Sequence, residues 1–227
     1  KIPKKVFYIT GLGYVFIAKG LKGFIVRNIV KMLYKLAISG KNSSIITENI
    51  YDKELINSLN AVNDNQIKII RGAGVDLSKY SYIEEKNENI KVSMACRLLK
   101  DKGVFEYIEA SKILKKKYLN VKFELYGDID IHNPASLTSD DVEKIKKDGF
   151  VNVYGFSIDI AKVFCDSNIV VLPSYREGLP KVLIEAAACG RAVVTTDVPG
   201  CRDAIEPNIT GLLCEVKDTE SLARMIE

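Results

Sequence analysis

"NIVVLPSYREGLPKVLIEAAACGRAVVTT", residues 168–196, holds the pattern that decides the fold. A β-branched run closes at Pro173 and Ser174, a helical stretch occupies about 180–189, and a second β-branched run begins at Ala192. Strand, helix and strand at these lengths make one parallel crossover unit, which closes right-handed. Pro180 has no amide hydrogen and a fixed φ, so it suits the first turn of that helix, and Gly178 lets backbone come close in the loop before it.

Two acids, Glu177 and Glu185, flank this helix start with seven residues between them. Amides and dipole at a helix N-terminus favour an anion such as a diphosphate, so a glutamate there has to face some other part of a ligand. At 1.5 Å per residue Glu185 sits about 7–8 Å along the axis from Pro180, while Glu177 stays in the loop. The two carboxylates can therefore reach two ends of one elongated molecule. Carboxylates accept hydrogen bonds from vicinal hydroxyls, which sugars and ribose offer; diphosphate in the middle with a sugar at each end describes a nucleotide sugar. The plainer role for Glu185 is an i, i+4 ion pair with Lys181, and it stays open.

The same alternation continues in both directions. Before the linker, "KVFYIT" (5–10) reads as a buried strand, 19–38 as a helix, "SSIIT" (43–47) as a strand, 51–60 as a polar helix and "QIKII" (66–70) as a strand. "RGAGVDLSKYSYIEEKNENI" then loses apolar periodicity and reads as a connection. After it come strand 90–96, helix 103–118, strand 121–127 and a helix capped by Thr138 or Ser139 and stopped by Gly149. Strand "VNVYG", helix "SIDIAKVFCDS", the opening stretch, a turn near Arg202, strand "GLLCEV" and a helix from Asp218 complete the series. The expectation is two Rossmann-like α/β units: a partial first domain over 1–75, a linker over 76–89 and a second domain over 90–227.

Neither unit carries a dinucleotide motif. "TGLGYVF" offers Gly11 and Gly13 but Phe16 where a third glycine would stand, which suits a tight turn after a strand. Asp128 and Asp130 in "YGDID" resemble a metal-binding Asp-x-Asp without an evident third ligand, so no metal and no cofactor are expected. The five cysteines, Cys96, Cys165, Cys189, Cys201 and Cys214, are odd in number and lack a Cys-x-x-Cys pair, which argues against a disulfide framework or zinc and for a reducing cytoplasm.

At 47% apolar and 27% charged residues the chain has an ordinary globular composition, and its net charge of +4 conceals an asymmetry. Residues 1–47 contain nine Lys or Arg and no acid. On a helical wheel of 19–38, Arg27, Lys31 and Lys35 share one face and Leu21, Ile25, Ile29, Met32, Leu33 and Leu36 the other. That pattern fits either a solvated helix whose apolar face packs on a sheet or a peripheral helix drawn to anionic lipid. Without an aromatic platform the basic residues do not point to nucleic acid. The opening "KIPKK" has no initiator Met, so the start is expected to lie inside a longer protein.

"YREGLPKVLIEAAACGRAVVTTDVPGCRDAI" resembles the signature of the family 4 glycosyltransferases, which have the GT-B fold, and "ACRLLKDKGV" (95–104) is similar to that family's diphosphate motif. "FELYGD", "VNVYGFSID", "VVLPS" and "ITGLLCE" follow in the family's order, so the likeness covers 90–227 strongly, while "ITGLGYVF" and "IIRGAGVD" resemble the end of the preceding domain in bacterial lipopolysaccharide, capsule and protein-glycosylation transferases. The resemblance implies a retaining transfer from a nucleotide sugar, a UDP-sugar, to a glycan or lipid-linked saccharide acceptor in polysaccharide biosynthesis, without a metal. Arg97 and Lys102 would hold the diphosphate and stabilise the leaving group's growing charge. Glu177 and the turn formed by Gly178, Leu179, Pro180 and Lys181 would place the transferred sugar, Pro180 offering no amide. Glu185 would take the ribose hydroxyls, and Phe156 and Ser157 would face the base. His132, the single histidine, matches no position of the family, and the strands that open the family's first domain and the helices that end its second are absent from this sequence. The alternatives are a GT-B nucleotide-sugar epimerase and a non-catalytic nucleotide-sugar-binding module. The implied location is the cytoplasm, at the inner face of the cytoplasmic membrane.

Overall fold

In the computed structural model, residues 4–12, 14–16, 20–72, 74–85 and 89–227 are described. Gly13, Lys19 and part of the linker, 86–88, lie outside them. The chain divides into two compact units, 1–73 with 177–179, and 74–176 with 180–227.

The first unit holds three parallel strands, β1 (Lys5–Ile9), β2 (Ser43–Thr47) and β3 (Ile67–Ile69), in the order β1-β2-β3, with helices α1 (Gly20–Ile38) and α2 (Ile50–Asn57) in the crossovers. Asn49 starts α2 by accepting a hydrogen bond from the Asp52 amide. Ile9, Leu12, Phe16, Ile38, Ile45, Ile56, Leu59 and Ile67 form its core. Two expectations need correction here. The run 5–10 is a strand but not a buried one: among the described residues β1 has a neighbouring strand on one side, Val6 is 66% exposed, and Tyr8 is exposed as well. Nor does α1 pack by its apolar face. Gly23, Val30, Tyr34 and Ile38, which share one stripe, seat it on the core, so Leu21, Ile25, Ile29, Met32, Leu33 and Leu36 are exposed while Arg27 and Lys31 are half-buried beside the stripe.

The second unit is a six-stranded parallel sheet with an α-helix in each crossover but the last, which carries only the short 3₁₀ turn Arg202–Ala204. Its strands are β4 (Lys91–Ala95), β5 (Lys122–Tyr126), β6 (Asn152–Gly155), β7 (Ile169–Leu172), β8 (Ala192–Thr196) and β9 (Gly211–Cys214), in the order β6-β5-β4-β7-β8-β9. Its helices are α3 (Val104–Lys117), α4 (Ser139–Asp148), α5 (Ile160–Cys165), α6 (Lys181–Ala188) and α7 (Thr219–Ile226). Val92, Met94, Phe123, Leu125, Val170 and Val171 are buried in the central strands, as sheets covered on both faces require. Tyr107 of α3 sets its hydroxyl between β4 and β5, 2.6 Å from the Val92 carbonyl. Local chemistry sets the ends of α4 and the start of α7 where the sequence predicts, while α2 ends at Asn57, three residues earlier than expected. Thr138 and Asp141 form a capping box at the start of α4, Gly149 closes it in a left-handed conformation, and Asp218 caps α7. Helix α5 is shorter than expected, opening at its Asp159 cap.

Residues 74–85 pack against this unit as a strap. Tyr80 is buried, a side chain at Gly190 would collide with the Tyr82 ring, and Asn168 Nδ2 donates to Glu85 Oε2 at 3.2 Å. Arg191, itself buried, donates to the carbonyls of Cys189, Ser167 and Ile83.

Candidate functional site

Strand order places the site. The chain steps outward from β4 to β5 to β6, then returns to lay β7 on the other side of β4. At such a switch the loops after two neighbouring strands leave in opposite directions and open a crevice at the carboxyl ends. The loop after β4 carries Cys96 and Arg97, that after β5 Gly127 and Asp128, and that after β6 Phe156 and Ser157; helix α6 follows β7.

These loops are laced together by backbone. Gly127, at φ 139°, lies so close to the neighbouring loop that a Cβ there would stand 1.7 Å from the Cys96 carbonyl oxygen. Its amide donates to the Gly155 carbonyl at 2.7 Å, and the Leu98 amide donates to the Asp128 carbonyl at 3.0 Å. Asp128 Oδ1 accepts from the Phe156 amide at 3.2 Å, which fixes the third loop. Tyr126 and Tyr154 stack beneath, with ring centroids 4.9 Å apart.

Above them is a cavity of about 670 Å³, within the range of small-ligand sites. Of the residues expected from sequence, it brings together Arg97, Phe156, Ser157 and Glu185. Lys102, Glu177, Gly178, Leu179, Pro180 and Lys181 are not among its lining residues. Sequence reasoning missed Val182, Asp130 and His132, which do line it. Val182 was findable as the residue one turn before Glu185 on α6; Asp130 enters the sequence reading only as part of an Asp-x-Asp metal pattern and His132 only as a histidine that matches no family position, because their loop has no periodicity to place them on the cavity wall.

Arg97 Nη1 meets Asp130 Oδ2 at 3.1 Å with its side chain 65% exposed. An exposed pair of this kind is worth roughly 0–1 kcal/mol, so the guanidinium is aimed yet free to exchange its partner for a stronger anion. Glu185 is 7% exposed. Its Oε1 lies 3.3 Å from Lys181 Nζ, so the i, i+4 pair exists and coexists with a place on the cavity wall. Burial first, and then the Glu185 carboxylate, holds the Tyr80 hydroxyl well above the usual tyrosine range, so it stays protonated throughout the physiological range.

Lys102 ends the short 3₁₀ turn Lys100–Lys102, closed by Gly103 in a left-handed conformation against the Pro173 carbonyl. Pro180 is the N-cap of α6, one position before the first turn where sequence put it. Residues 177–179 count with the first unit. There Gly178 meets the Thr10 carbonyl so closely that a Cβ would stand 2.0 Å from it, Asn49 Nδ2 donates to the Gly178 carbonyl at 2.8 Å, and the Leu179 amide donates to Glu48 Oε2 at 3.0 Å. The close approach read into Gly178 is thus used by the protein's own backbone. Asp128 and Asp130 serve the loop and Arg97, and among the described residues no three acids, cysteines or histidines cluster as a metal site would.

Residues 89–227 match the family described as "Glycosyl transferases group 1". The chain is 34% identical to the N,N'-diacetylbacillosaminyl-diphospho-undecaprenol alpha-1,3-N-acetylgalactosaminyltransferase of Campylobacter jejuni, an alignment that covers 100% of this chain and 61% of that one. It is 27% identical to the capsular polysaccharide biosynthesis glycosyltransferase CapM of Staphylococcus aureus, over 99% of this chain and 60% of CapM. It thus spans about three-fifths of the length of these relatives. Among solved structures, Anabaena Alr3699/HepE in complex with UDP and glucose superposes with a TM-score of 0.73 at 18% identity, covering 98% of this chain and 61% of that one. At that identity the likeness shows the fold.

Proposed function

The chain belongs to the group 1 glycosyltransferase family and has a Rossmann-like α/β fold of the GT-B type, and from that premise we propose that the enzyme moves a sugar from a nucleotide sugar, a UDP-sugar, to a glycan or lipid-linked acceptor in bacterial polysaccharide or glycan synthesis, with retention of configuration. The observation that carries this reading is the cavity at the β4/β7 switch point. It joins a guanidinium, a buried carboxylate and an exposed aromatic ring in one space of about 670 Å³.

Each group has a part in that chemistry. Glu185 accepts hydrogen bonds from the ribose hydroxyls. Arg97 leaves Asp130 for the diphosphate, and Lys102 joins it, so that two cations stabilise the charge that grows on the leaving group as the glycosidic bond breaks. Phe156 and Ser157 offer an apolar face and backbone to the base. Glu177 orients the transferred sugar; because the Leu179 amide is engaged by Glu48, the diphosphate is assigned first to Arg97 and Lys102. With these cations in place the donor binds without a divalent metal. The C. jejuni relative, named for a diphospho-undecaprenol substrate, and HepE, solved with UDP and glucose, support a lipid-linked acceptor and a uridine donor.

Calorimetry of the full-length enzyme with UDP tests this. Binding should persist in EDTA, and Arg97→Ala and Glu185→Ala should each weaken it by about tenfold or more, a hydrogen bond to a charged group being worth roughly 1.5–3 kcal/mol. Glu177→Ala should instead lower turnover. Wild-type UDP affinity in both binding-site variants would refute the assignment, and loss of binding in EDTA would return Asp128 and Asp130 to consideration as metal ligands.

No helix among the described residues is long and apolar enough to cross a membrane. The acceptor's lipid is reached from the surface in this reading: the exposed apolar face of α1 enters the headgroup region of the cytoplasmic membrane's inner leaflet, and Arg27, Lys31 and Lys35 on its other face add longer-range attraction to anionic lipid.

A further inference from the structure

The cavity at the β4/β7 switch point holds an acid beside its guanidinium. Asp130 lines it together with Arg97, and Asp130 Oδ2 stands 3.1 Å from Arg97 Nη1. A carboxylate in a site for anions repels the ligand, so its presence needs a reason. Bracing the loop accounts for one oxygen only: Oδ1 accepts from the His132 amide at 3.3 Å, while Oδ2 faces the guanidinium. The carboxylate is the fixed member of this pair. The Asp130 amide donates to Ser136 Oγ at 2.9 Å, the Asp130 carbonyl accepts from the Asn133 amide at 2.8 Å, and Ser136 Oγ donates in turn to the Leu137 carbonyl at 3.0 Å. The Leu137 amide then ties the loop to the Leu98 carbonyl at 2.8 Å, one residue from Arg97. The Asp130 side chain is 28% exposed against 65% for Arg97, so in any exchange of partners the guanidinium swings and the carboxylate stays.

We propose that Asp130 is a positioning residue that competes with the donor's diphosphate for Arg97, and so lowers the affinity of the site for nucleoside diphosphates. The inference rests on the reading of Arg97 as a diphosphate ligand. In the empty site Asp130 holds the guanidinium, and the apparent affinity for ligand falls with the fraction of molecules in which Arg97 is free to meet it. A diphosphate offers more oxygens and more charge than one carboxylate, so the exchange runs toward the ligand when it is bound and reverses when it leaves. The consequence is release. When the sugar is transferred, the nucleotide keeps both phosphates and gains a negative charge, which strengthens its hold on Arg97; a waiting carboxylate takes the cation back and keeps the product from blocking the site.

The test uses the full-length enzyme and Asp130→Asn, whose amide oxygen still accepts from the His132 amide while the charge facing Arg97 is gone. The ligands are UDP, GDP or ADP, whichever the wild type binds, and the corresponding nucleoside, which lacks the phosphates. Asp130→Asn should tighten the nucleoside diphosphate about two- to fivefold, the range open to an exposed ion pair, and leave the nucleoside's affinity unchanged. A second readout follows Arg97 itself. Phenylglyoxal labelling of the empty enzyme, located by mass spectrometry, should modify Arg97 about twofold faster in Asp130→Asn than in the wild type, and bound nucleoside diphosphate should protect Arg97 in both. A nucleoside diphosphate that binds no tighter, or a nucleoside whose affinity changes along with it, would show that Asp130 merely shapes the loop and would overturn the proposal. Tighter binding with unchanged labelling would reduce the effect to plain repulsion and overturn the competition. If Arg97→Ala binds the nucleoside diphosphate as the wild type does, the diphosphate assignment falls and takes the proposal with it.

Discussion

The two units are built from the same strand-helix-strand grammar but bury it to different depths. In the second, β4, β5 and β7 are each hydrogen-bonded on both sides, and Met94, Phe123, Leu125 and Val170 are inaccessible to solvent. In the first, three strands share a small core, β1 exposes Val6, and α1 shows Leu21 and Leu36 to solvent at 77% and 69%. An apolar residue in an α/β pattern is therefore no evidence of burial until the number of sheet neighbours is known. The second unit keeps its apolar side chains inside, whereas the first leaves part of them exposed among the described residues.

The largest expected contrast is in the cores. Phe123→Ala should cost about 3–5 kcal/mol in denaturant unfolding, because the cavity it leaves is lined on every side, whereas Leu36→Ala should change stability by no more than about 0.5 kcal/mol. A comparable cost at Leu36 would break the comparison and show the α1 face to be covered in the full-length protein. Next come the glycines. Gly127→Ala meets both a strained φ and the Cys96 carbonyl and should lose about 1–3 kcal/mol, together with UDP affinity, since the displaced loop carries Asp128. Gly20→Ala, also at positive φ but with open space around it, should lose only about 1 kcal/mol. Equal losses would mean that the loop after β4 yields easily.

Charge on α1 gives a smaller effect. Reversing Arg27, Lys31 and Lys35 to Glu should release the enzyme from anionic vesicles in flotation, at about 1 kcal/mol per residue in low salt, and leave UDP binding intact. Attachment that survives reversal, or a wild type that never floats, would leave the exposed apolar face without its lipid reading. The smallest effect is chemical. Burial pushes the Cys189 and Cys214 thiols up to about 12, so neither should react with iodoacetamide at pH 8, while the partly exposed Cys96 and Cys165 should label first. Early labelling of Cys214 would show that β9 opens in the native state.

Most of the second unit was legible in the sequence because its signals are local. Thr138 with Asp141, Gly149 and Asp218 declare helix ends within four residues, and β-branched runs declare strands. Four of the expected site residues meet in the cavity because each stands immediately after a strand or one turn into a helix. What stayed hidden depends on contacts distant in sequence. Arg97 finds Asp130 thirty-three positions away, Asn168 reaches Glu85 across eighty-three, and Tyr80 lies in a stretch without periodicity that reads as a connector. The wheel of α1 separated its basic and apolar faces correctly yet did not say which stripe the core would take; Gly23, Val30, Tyr34 and Ile38 did that through fit.

Arg191 has a consequence for how the second unit opens. Its guanidinium holds the residues just after α5 and α6, through the Ser167 and Cys189 carbonyls, and the strap, through Ile83, without a carboxylate in the set. Freeing any one of the three leaves a buried cation short of acceptors, so they should open as one cooperative unit. In native-state hydrogen exchange the Tyr80 amide, although it belongs to an irregular segment, should then exchange with the opening free energy of α6 and respond to bound nucleotide by the same amount.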